Sequence, residues 1–367
     1  MEEYGLLGES LSHSFSPKIH SMLGLTDYGL FCVPKDQFSA FMEQRAFRAI
    51  NVTIPYKKDV IPYLKSISER AKAIGSVNTV VKDENGDLHG DNTDYLGLRA
   101  LIERTGISLL GKKVLVLGSG GTSLTARAVA ADGGAAAVVV ISRSGPDNYE
   151  NLEKHQDADI IINTTPVGMY PHNGEAALSL DGFPKLQGVI DVIYNPQRTA
   201  LILDAERRGI PCASGLYMLV AQAKYAEDLF FGRETADDSV IETVYQALLM
   251  EEQNLIIYGK EAGEAGAEET LANAHALAKK AEKTFRSLDE EVEKCTGLSI
   301  EALTRQYGKV RLFAERQQAA MKLGKEHNQV ILAQGLLDAL EDAAWRRLAE
   351  PIRDALLQNG ELVYEGA

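Results

Sequence analysis

Four nearly continuous apolar runs, separated by helix-like segments, constrain this chain more than any other feature. They are KKVLVLG, AAVVVISR, DADIIINTT and GVIDVIY, all lying between Lys112 and Tyr194. A strand covered on both faces has no polar side to show, and strands that alternate with helices must run parallel. The helix-like segments include SLTARAVAADGG, between the first two runs, and TALILDAERRG, after the last, the second closed by the glycine that helix C-termini favour. Residues 101–214 are therefore expected to form a doubly wound α/β domain.

The first of these strands runs into a turn, VLVLGSGGTSLTA, where Gly118, Gly120 and Gly121 stand between strand and helix. Glycine allows the tight turn and the close approach of a phosphate, and the helix start offers free N–H groups to a pyrophosphate. Gly118, Ser119, Gly120, Gly121, Thr122 and Ser123 are the candidate dinucleotide contacts. The next strand ends in Ser142, Arg143 and Ser144, all donors, where an acid would suit the ribose of NAD. The planar guanidinium of Arg143 suits a 2′-phosphate. The expected cofactor is NADP.

The first hundred residues carry three polar clusters in otherwise apolar surroundings. In LSHSFSP, Ser14 and Ser16 precede a helix that Pro17 opens; their hydroxyls either cap it or bind a carboxylate at its N-terminus. In NVTIPYK, Thr53 and Lys57 flank a proline turn. In VNTVVKDENGDLHGDNTD, a hairpin-like turn at NGD is followed by Asn92, Thr93 and Asp94.

The bulk composition narrows the partners. With 45% apolar and 25% charged residues in 367, the chain is an ordinary globular protein of two or three domains. No run of about 18 apolar residues occurs, and the acidic N-terminus lacks a signal-like apolar core, so a cytoplasmic protein is expected. Cys32, Cys212 and Cys295 are widely spaced and read as reduced thiols, with no metal-binding pattern. A net charge of −14 disfavours nucleic acid, which needs a basic face.

Taken in order, SFSP, NVTIPYK, SVNT, GDNTD, GSGGTS, NTTPVGM, DVIYNPQRTALI and GLYMLVAQA resemble the shikimate dehydrogenase family over roughly residues 4–250. The resemblance implies an α/β substrate domain from 1–100 plus 215–250, whose last helices return to the first domain, and a cleft facing the Rossmann domain. It implies NADPH-dependent reduction of 3-dehydroshikimate to shikimate, in aromatic amino acid biosynthesis. Lys57 and Asp94 match the catalytic pair, Ser14, Ser16 and Tyr194 the carboxylate contacts, and Thr53, Asn78, Asp94 and Gln222 the ring-hydroxyl contacts. Val192, Gly215 and Met218 match groups lining the nicotinamide, and Glu69 a further cofactor-side contact. The chemistry needs such a pair: hydride transfer to a ketone leaves an alkoxide that a lysine can protonate. A neighbouring aspartate keeps that lysine charged against desolvation. Departures are modest, with Ala49 where glycine is usual and a short segment between Leu23 and Phe31. A quinate/shikimate dehydrogenase is the runner-up, and a non-catalytic shikimate sensor a reading from another class; retained Ser14, Ser16, Lys57 and Asp94 speak against both.

Residues 254–367 pose a separate question. NLIIYGKEAGEAGAEET opens like a phosphate-binding loop, and the segment is similar to shikimate kinase in the order of its elements. The lysine and hydroxyl that such a loop aims at phosphate are missing in either register: the matching positions are Ala265 and Gly266, or Thr270 and Leu271. The acidic pair is reduced to Ser287 and Asp289. The phenylalanine–arginine pair is out of register, with Arg311 and Arg316 near. The glycine triplet is reduced to Gln334-Gly335-Leu336, and the sequence stops before a lid would begin. The expectation is a degenerate kinase-like domain without phosphotransfer, retained as a homodimer or enzyme-docking surface, as a residual shikimate site, or by drift. An active tail would make the chain a bifunctional dehydrogenase–kinase.

Overall fold

The computed structural model describes residues 3–11, 14–233, 237–261 and 266–365. The chain divides into two compact units, one of residues 1–166, 177–194 and 205–248, the other of 167–176, 195–204 and 249–367. Two sheets lie in the first unit and one in the second.

The first sheet is mixed and contains β1 (Tyr4–Gly8), β2 (Tyr28–Cys32), β3 (Ala49–Val52), β4 (Ser66–Ile67), β5 (Thr79–Lys82) and β6 (Leu88–Asp91), in the order β2-β1-β3-β5-β6-β4. β1 pairs parallel with β2 and β3, while β5 pairs antiparallel with β3 and β6. The β5–β6 hairpin turns at NGD: Gly86 takes φ +83°, and the Asp83 carboxylate accepts from the backbone N–H groups of Asn85 and Asp87. Local side-chain acceptance of this kind is why Asx residues favour turns. One face buries Leu7, Met42, Phe47, Ile50, Val80 and Leu88.

The second sheet contains β7 (Lys113–Leu117), β8 (Ala137–Ile141), β9 (Ile160–Asn163), β10 (Gly188–Asp191) and β11 (Cys212–Ala213), in the order β11-β10-β9-β7-β8. Every pairing is parallel, and β9 and β10 are buried at every residue, as continuous apolar runs require. β8 is an equally apolar run but only partly buried, because it stands at the sheet edge. The helix Thr93–Thr105 packs against both Gly121–Asp132 and Leu216–Phe231. The latter also reaches the first sheet, where Phe230 meets the ring of Tyr4 and Ala226 shares a core with Leu6 and Leu11.

In the second unit β12 (Asn254–Gly259), β13 (Thr284–Ser287), β14 (Gln329–Gln334) and β15 (Gly360–Glu365) form a parallel sheet in the order β13-β14-β12-β15. Its core unites Ile256, Leu288, Phe313, Ile331, Ala349 and Leu356. Two segments that the reading gives to the dinucleotide domain, 167–176 and 195–204, lie in this unit. Gln197 N donates to Asn359 Oδ1 at 2.8 Å, and Arg198 N to the Gln358 carbonyl at 2.8 Å. No sequence pattern announces such backbone-level contacts. Cys32, Cys212 and Cys295 are free, and no helix among the described residues is long and apolar enough to cross a membrane.

Candidate active site

A cavity of about 190 Å³ in the first unit is lined by Ser14, Ser16, Thr53, Lys57, Asn78, Asp94, Thr122, Val192, Tyr194, Gly215, Met218 and Gln222. These residues span more than 200 positions of sequence, and the fold brings them to one place. Leu6, Asn51, Val52 and Leu219 complete the lining.

Each side chain is fixed by local structure. Ser16 is the first residue of the helix Ser16–Leu23, and Ser14 Oγ accepts from Ser16 N at 3.2 Å. Lys57 follows β3 in a turn that Tyr56 N closes onto the Thr53 carbonyl, and its own carbonyl accepts from Val77 N at 2.8 Å. Asp94 sits in the first turn of Thr93–Thr105, where the side chain of Asn92 caps the helix by accepting from Tyr95 N. A carboxylate there is favoured by the positive end of the helix. Burial pushes the Tyr194 phenol above its usual pKa, so it stays neutral at physiological pH; its ring packs against Phe15.

The centre of the site is an ion pair: Lys57 Nζ donates to Asp94 Oδ2 at 2.6 Å, with the two side chains 15% and 11% exposed. Asp94 Oδ1 accepts from Asn78 Nδ2 at 2.9 Å. The carboxylate is thereby held on both oxygens, and the lysine keeps one face toward the cavity.

The glycine turn lies beside this pair. Gly118 takes φ +99°, a conformation that disfavours any side chain, and a Cβ built on Gly121 would stand 4.0 Å from Lys57 Cδ. The helix Gly121–Asp132 has no side-chain cap on its N-terminus, and a Cβ on Gly120 would meet nothing within 4 Å. That is a cradle with open backbone donors, which fits a dinucleotide pyrophosphate. Opposite, Gly215 approaches so closely that a Cβ would lie 2.0 Å from the Val192 carbonyl oxygen, which brings the Met218 helix to the cavity wall.

Ser142, Arg143 and Ser144 lie after β8 and do not line the cavity; Arg143 and Ser144 are exposed. Arg143 acts electrostatically on Tyr149, opposing the rise in its pKa that burial causes. Glu69 is the exposed first residue of the helix Glu69–Ile74, also away from the cavity. Ser119 and Gly120 are exposed on the turn, whereas Ser123 is buried.

The family model for the shikimate dehydrogenase substrate binding domain matches residues 6–80. The shikimate dehydrogenase (NADP(+)) of Clostridium perfringens is 36% identical over 272 residues, covering 68% of this chain and 98% of that protein. The chain belongs to the shikimate dehydrogenase family. A Methanococcus maripaludis member is 36% identical over 256 residues, covering 62% of this chain and 91% of its own. The Thermus thermophilus shikimate 5-dehydrogenase solved with NADP(H) and shikimate superposes with a TM-score of 0.60 at 31% identity, covering 67% of this chain and 99% of its own. Shikimate dehydrogenase 1 of Peptoclostridium difficile gives a TM-score of 0.62 at 36% identity, covering 68% and 98%.

Within this shikimate dehydrogenase fold, the lining residue that sequence reading passed over with most consequence is Asn51. It stands on β3 two residues before Thr53, which directly follows the strand, and period-two alternation carried one step past its end puts those two on one face. That was the available signal. Leu219 had one too, being three residues from Gln222 on a single helix.

Proposed function

We propose that this chain reduces 3-dehydroshikimate to shikimate with NADPH, using Lys57 and Asp94 as the proton-transfer pair. The observation that carries the reading is the 2.6 Å Lys57–Asp94 contact on the wall of a cavity whose polar side carries hydroxyls and amides. A polyhydroxylated ring carrying one carboxylate needs such donors. Ser14 and Ser16, at a helix start with Tyr194 near Phe15, are the carboxylate contacts. Thr53, Asn78, Asp94 and Gln222 take the ring hydroxyls.

NADPH, when bound, supplies the hydride to the ring ketone. Lys57 Nζ gives its proton to the ring oxygen as negative charge develops there, and in the reverse direction accepts it. Asp94 holds Lys57 Nζ in place and aims it. Gly118 to Ser123 hold the pyrophosphate, while Ser142, Arg143 and Ser144 take the 2′-phosphate, Arg143 with a planar fork. Val192, Gly215 and Met218 wall the nicotinamide, and Glu69 lies on the cofactor side. A pathway enzyme of this kind acts in the cytoplasm. The test is NADP reduction by shikimate in purified protein, set against quinate; loss of the reaction in Lys57→Met is expected. Full activity in that variant would sink the assignment.

For residues 254–367 we propose a kinase-like domain that does not transfer phosphate. Its parallel sheet and the helix after β12 suit that ancestry, and the residues around the loop oppose the chemistry. The helix begins at Ala267, so the lysine and hydroxyl places fall on Ala265, which lies outside the described residues, and Gly266. Thr270 is buried one turn further on, its hydroxyl bonded to the Gly266 carbonyl. Glu268 and Glu269 occupy the first helical turn, where they repel phosphate. Arg316, the one fully buried cation near β13 and β14 among the described residues, is engaged: Nε and Nη2 donate to Asp289 at 2.8 and 3.0 Å, and Nη1 to Glu261 at 3.2 Å. Gel filtration of a chain ending at Gln253 tests a role in dimerisation; an unchanged oligomeric state would rule it out.

A further inference from the structure

Five residues, three of them on the cavity wall and two behind it, are joined by a run of hydrogen bonds that leads from Tyr28 to Asp94. Tyr28 Oη donates to Asn51 Oδ1 at 2.8 Å, and Asn51 Nδ2 donates to Thr79 Oγ1 at 3.3 Å. Thr79 Oγ1 donates to Asn78 Oδ1 at 3.0 Å, and Asn78 Nδ2 donates to Asp94 Oδ1 at 2.9 Å. The amide orientations follow from the network: the Asn78 carbonyl, which only accepts, faces Asn51 Nδ2 at 3.4 Å and fixes Asn51, and Asp94, which only accepts, fixes Asn78. Thr93 braces the middle, its backbone N–H donating to Asn78 Oδ1 at 2.7 Å. All members are buried, Thr79 at 1% and Asn78 at 2% exposed.

The far end of this chain is anchored as firmly as the near end. The Tyr28 ring stacks on His20 with centroids 3.7 Å apart, and His20 Nδ1 lies 2.8 Å from Glu227 Oε1. Burial, with Glu227 adding to it, pushes the Tyr28 phenol well above its usual pKa, so it remains a donor. His20 belongs to the helix that begins at Ser16, and Glu227 to the helix that carries Gln222. The anchor therefore ties two cavity-lining helices to the start of the chain.

We propose that Tyr28 and Thr79 are positioning residues, which act through Asn51 and Asn78 to set the Asp94 carboxylate against Lys57. Hydrogen bonds aligned head to tail polarise one another, most strongly where water is excluded. The donor arriving at Asp94 Oδ1 is thus stronger and more narrowly aimed than an isolated amide. Oδ2 is left for Lys57. Neither Tyr28 nor Thr79 lines the cavity, and only Thr79 falls within a motif, SVNT.

This rests on the proposed roles of Lys57 and Asp94, and the variants separate the two ideas. Tyr28→Phe keeps the stack on His20 and deletes one hydroxyl, and Thr79→Val exchanges a hydroxyl for a methyl. Each is expected to lower kcat for shikimate oxidation about threefold to tenfold with KM for NADP unchanged. Thr79→Ser restores the donor and should recover kcat. The double variant Tyr28→Phe with Thr79→Val should fall no further than the worse single one, because both cut one chain. Wild-type kcat in folded Tyr28→Phe and Thr79→Val, or losses that simply multiply, would overturn the proposal. So would a Thr79→Ser enzyme as slow as Thr79→Val. Should Thr79→Val not fold, Tyr28→Phe and Thr79→Ser decide: a slow first variant and a normal second support the chain. Should Lys57→Met remain active, the catalytic assignment fails, whatever Tyr28 does.

Discussion

The cavity of the first unit and the Arg316 cluster of the second are both built from buried charge, and they use it in opposite ways. At the cavity, Lys57 and Asp94 are each more than a tenth exposed, and their pairing leaves the lysine facing open space. At the cluster, Arg316 is 1% exposed and spends its donors on Asp289 and Glu261. Burial pushes the Asp289 carboxyl up, and Arg316 opposes that rise. The Glu261 carboxylate also presses on Gly335, where a Cβ would lie 2.4 Å from Oε1. A charged pair can act on a ligand only if a donor or acceptor remains turned outward. The first pair meets that condition, and the second satisfies itself.

Breaking each pair should therefore give different symptoms. Lys57→Met removes the acid and should cut kcat about 1000-fold, a loss of chemistry in a protein that still folds. Steady-state kinetics with calorimetry would show it. Arg316→Met leaves the buried Asp289 carboxylate unpaired and should destabilise the second unit by about 3–5 kcal/mol. Urea unfolding followed at Trp345 would report that loss, and kcat for shikimate should stay at the wild-type value. Equal kinetic damage from both variants would erase the contrast.

Smaller effects sharpen it. Arg143→Ala should weaken NADP about tenfold or more and leave NAD nearly untouched, since a charge-assisted hydrogen bond contributes about 1.5–3 kcal/mol. Cofactor titrations would distinguish them. Glu242 pairs with Arg104, whose guanidinium lies over the rings of Tyr217 and Tyr245, and this contact pulls the Glu242 carboxyl down to about 2 from 4.5. A depressed carboxyl stabilises the fold above its unfolded value and loses that contribution as pH falls through the folded value. The side chain is 44% exposed, so Glu242→Gln should cost less than about 1 kcal/mol at neutral pH. Unfolding curves of the two proteins should converge as pH drops from about 4.5 to about 2.

Much of this was legible in the residues, for physical reasons that differ by element. β7, β9 and β10 announce themselves because a parallel strand covered on both faces is apolar along its length, with polar residues such as Lys113, Asn163 and Asp191 only at strand ends. Lys57, Asn78 and Asp94 were legible only as clusters of polar types, since no spacing rule tells that residues 57 and 94 touch. Their identification came through family resemblance. Tyr28 was illegible: a tyrosine starting an apolar run looks like core, and its hydroxyl partner is 23 residues away. The 195–204 segment was likewise unreadable as part of the second unit, because Gln197 and Arg198 are held there by backbone N–H groups, which every sequence carries, and by the Arg198 guanidinium donating to the Gly360 carbonyl, 162 residues away.

The central claim is that one unit reduces while the other does no phosphoryl transfer. Two assays on the purified full-length chain test it together: NADP reduction with shikimate, and ATP consumption with shikimate and magnesium. The account predicts steady NADP reduction and ATP consumption no faster than the blank. ATP consumption that depends on shikimate would contradict the reading of the Arg316 cluster, and absence of NADP reduction would contradict the reading of Lys57 and Asp94.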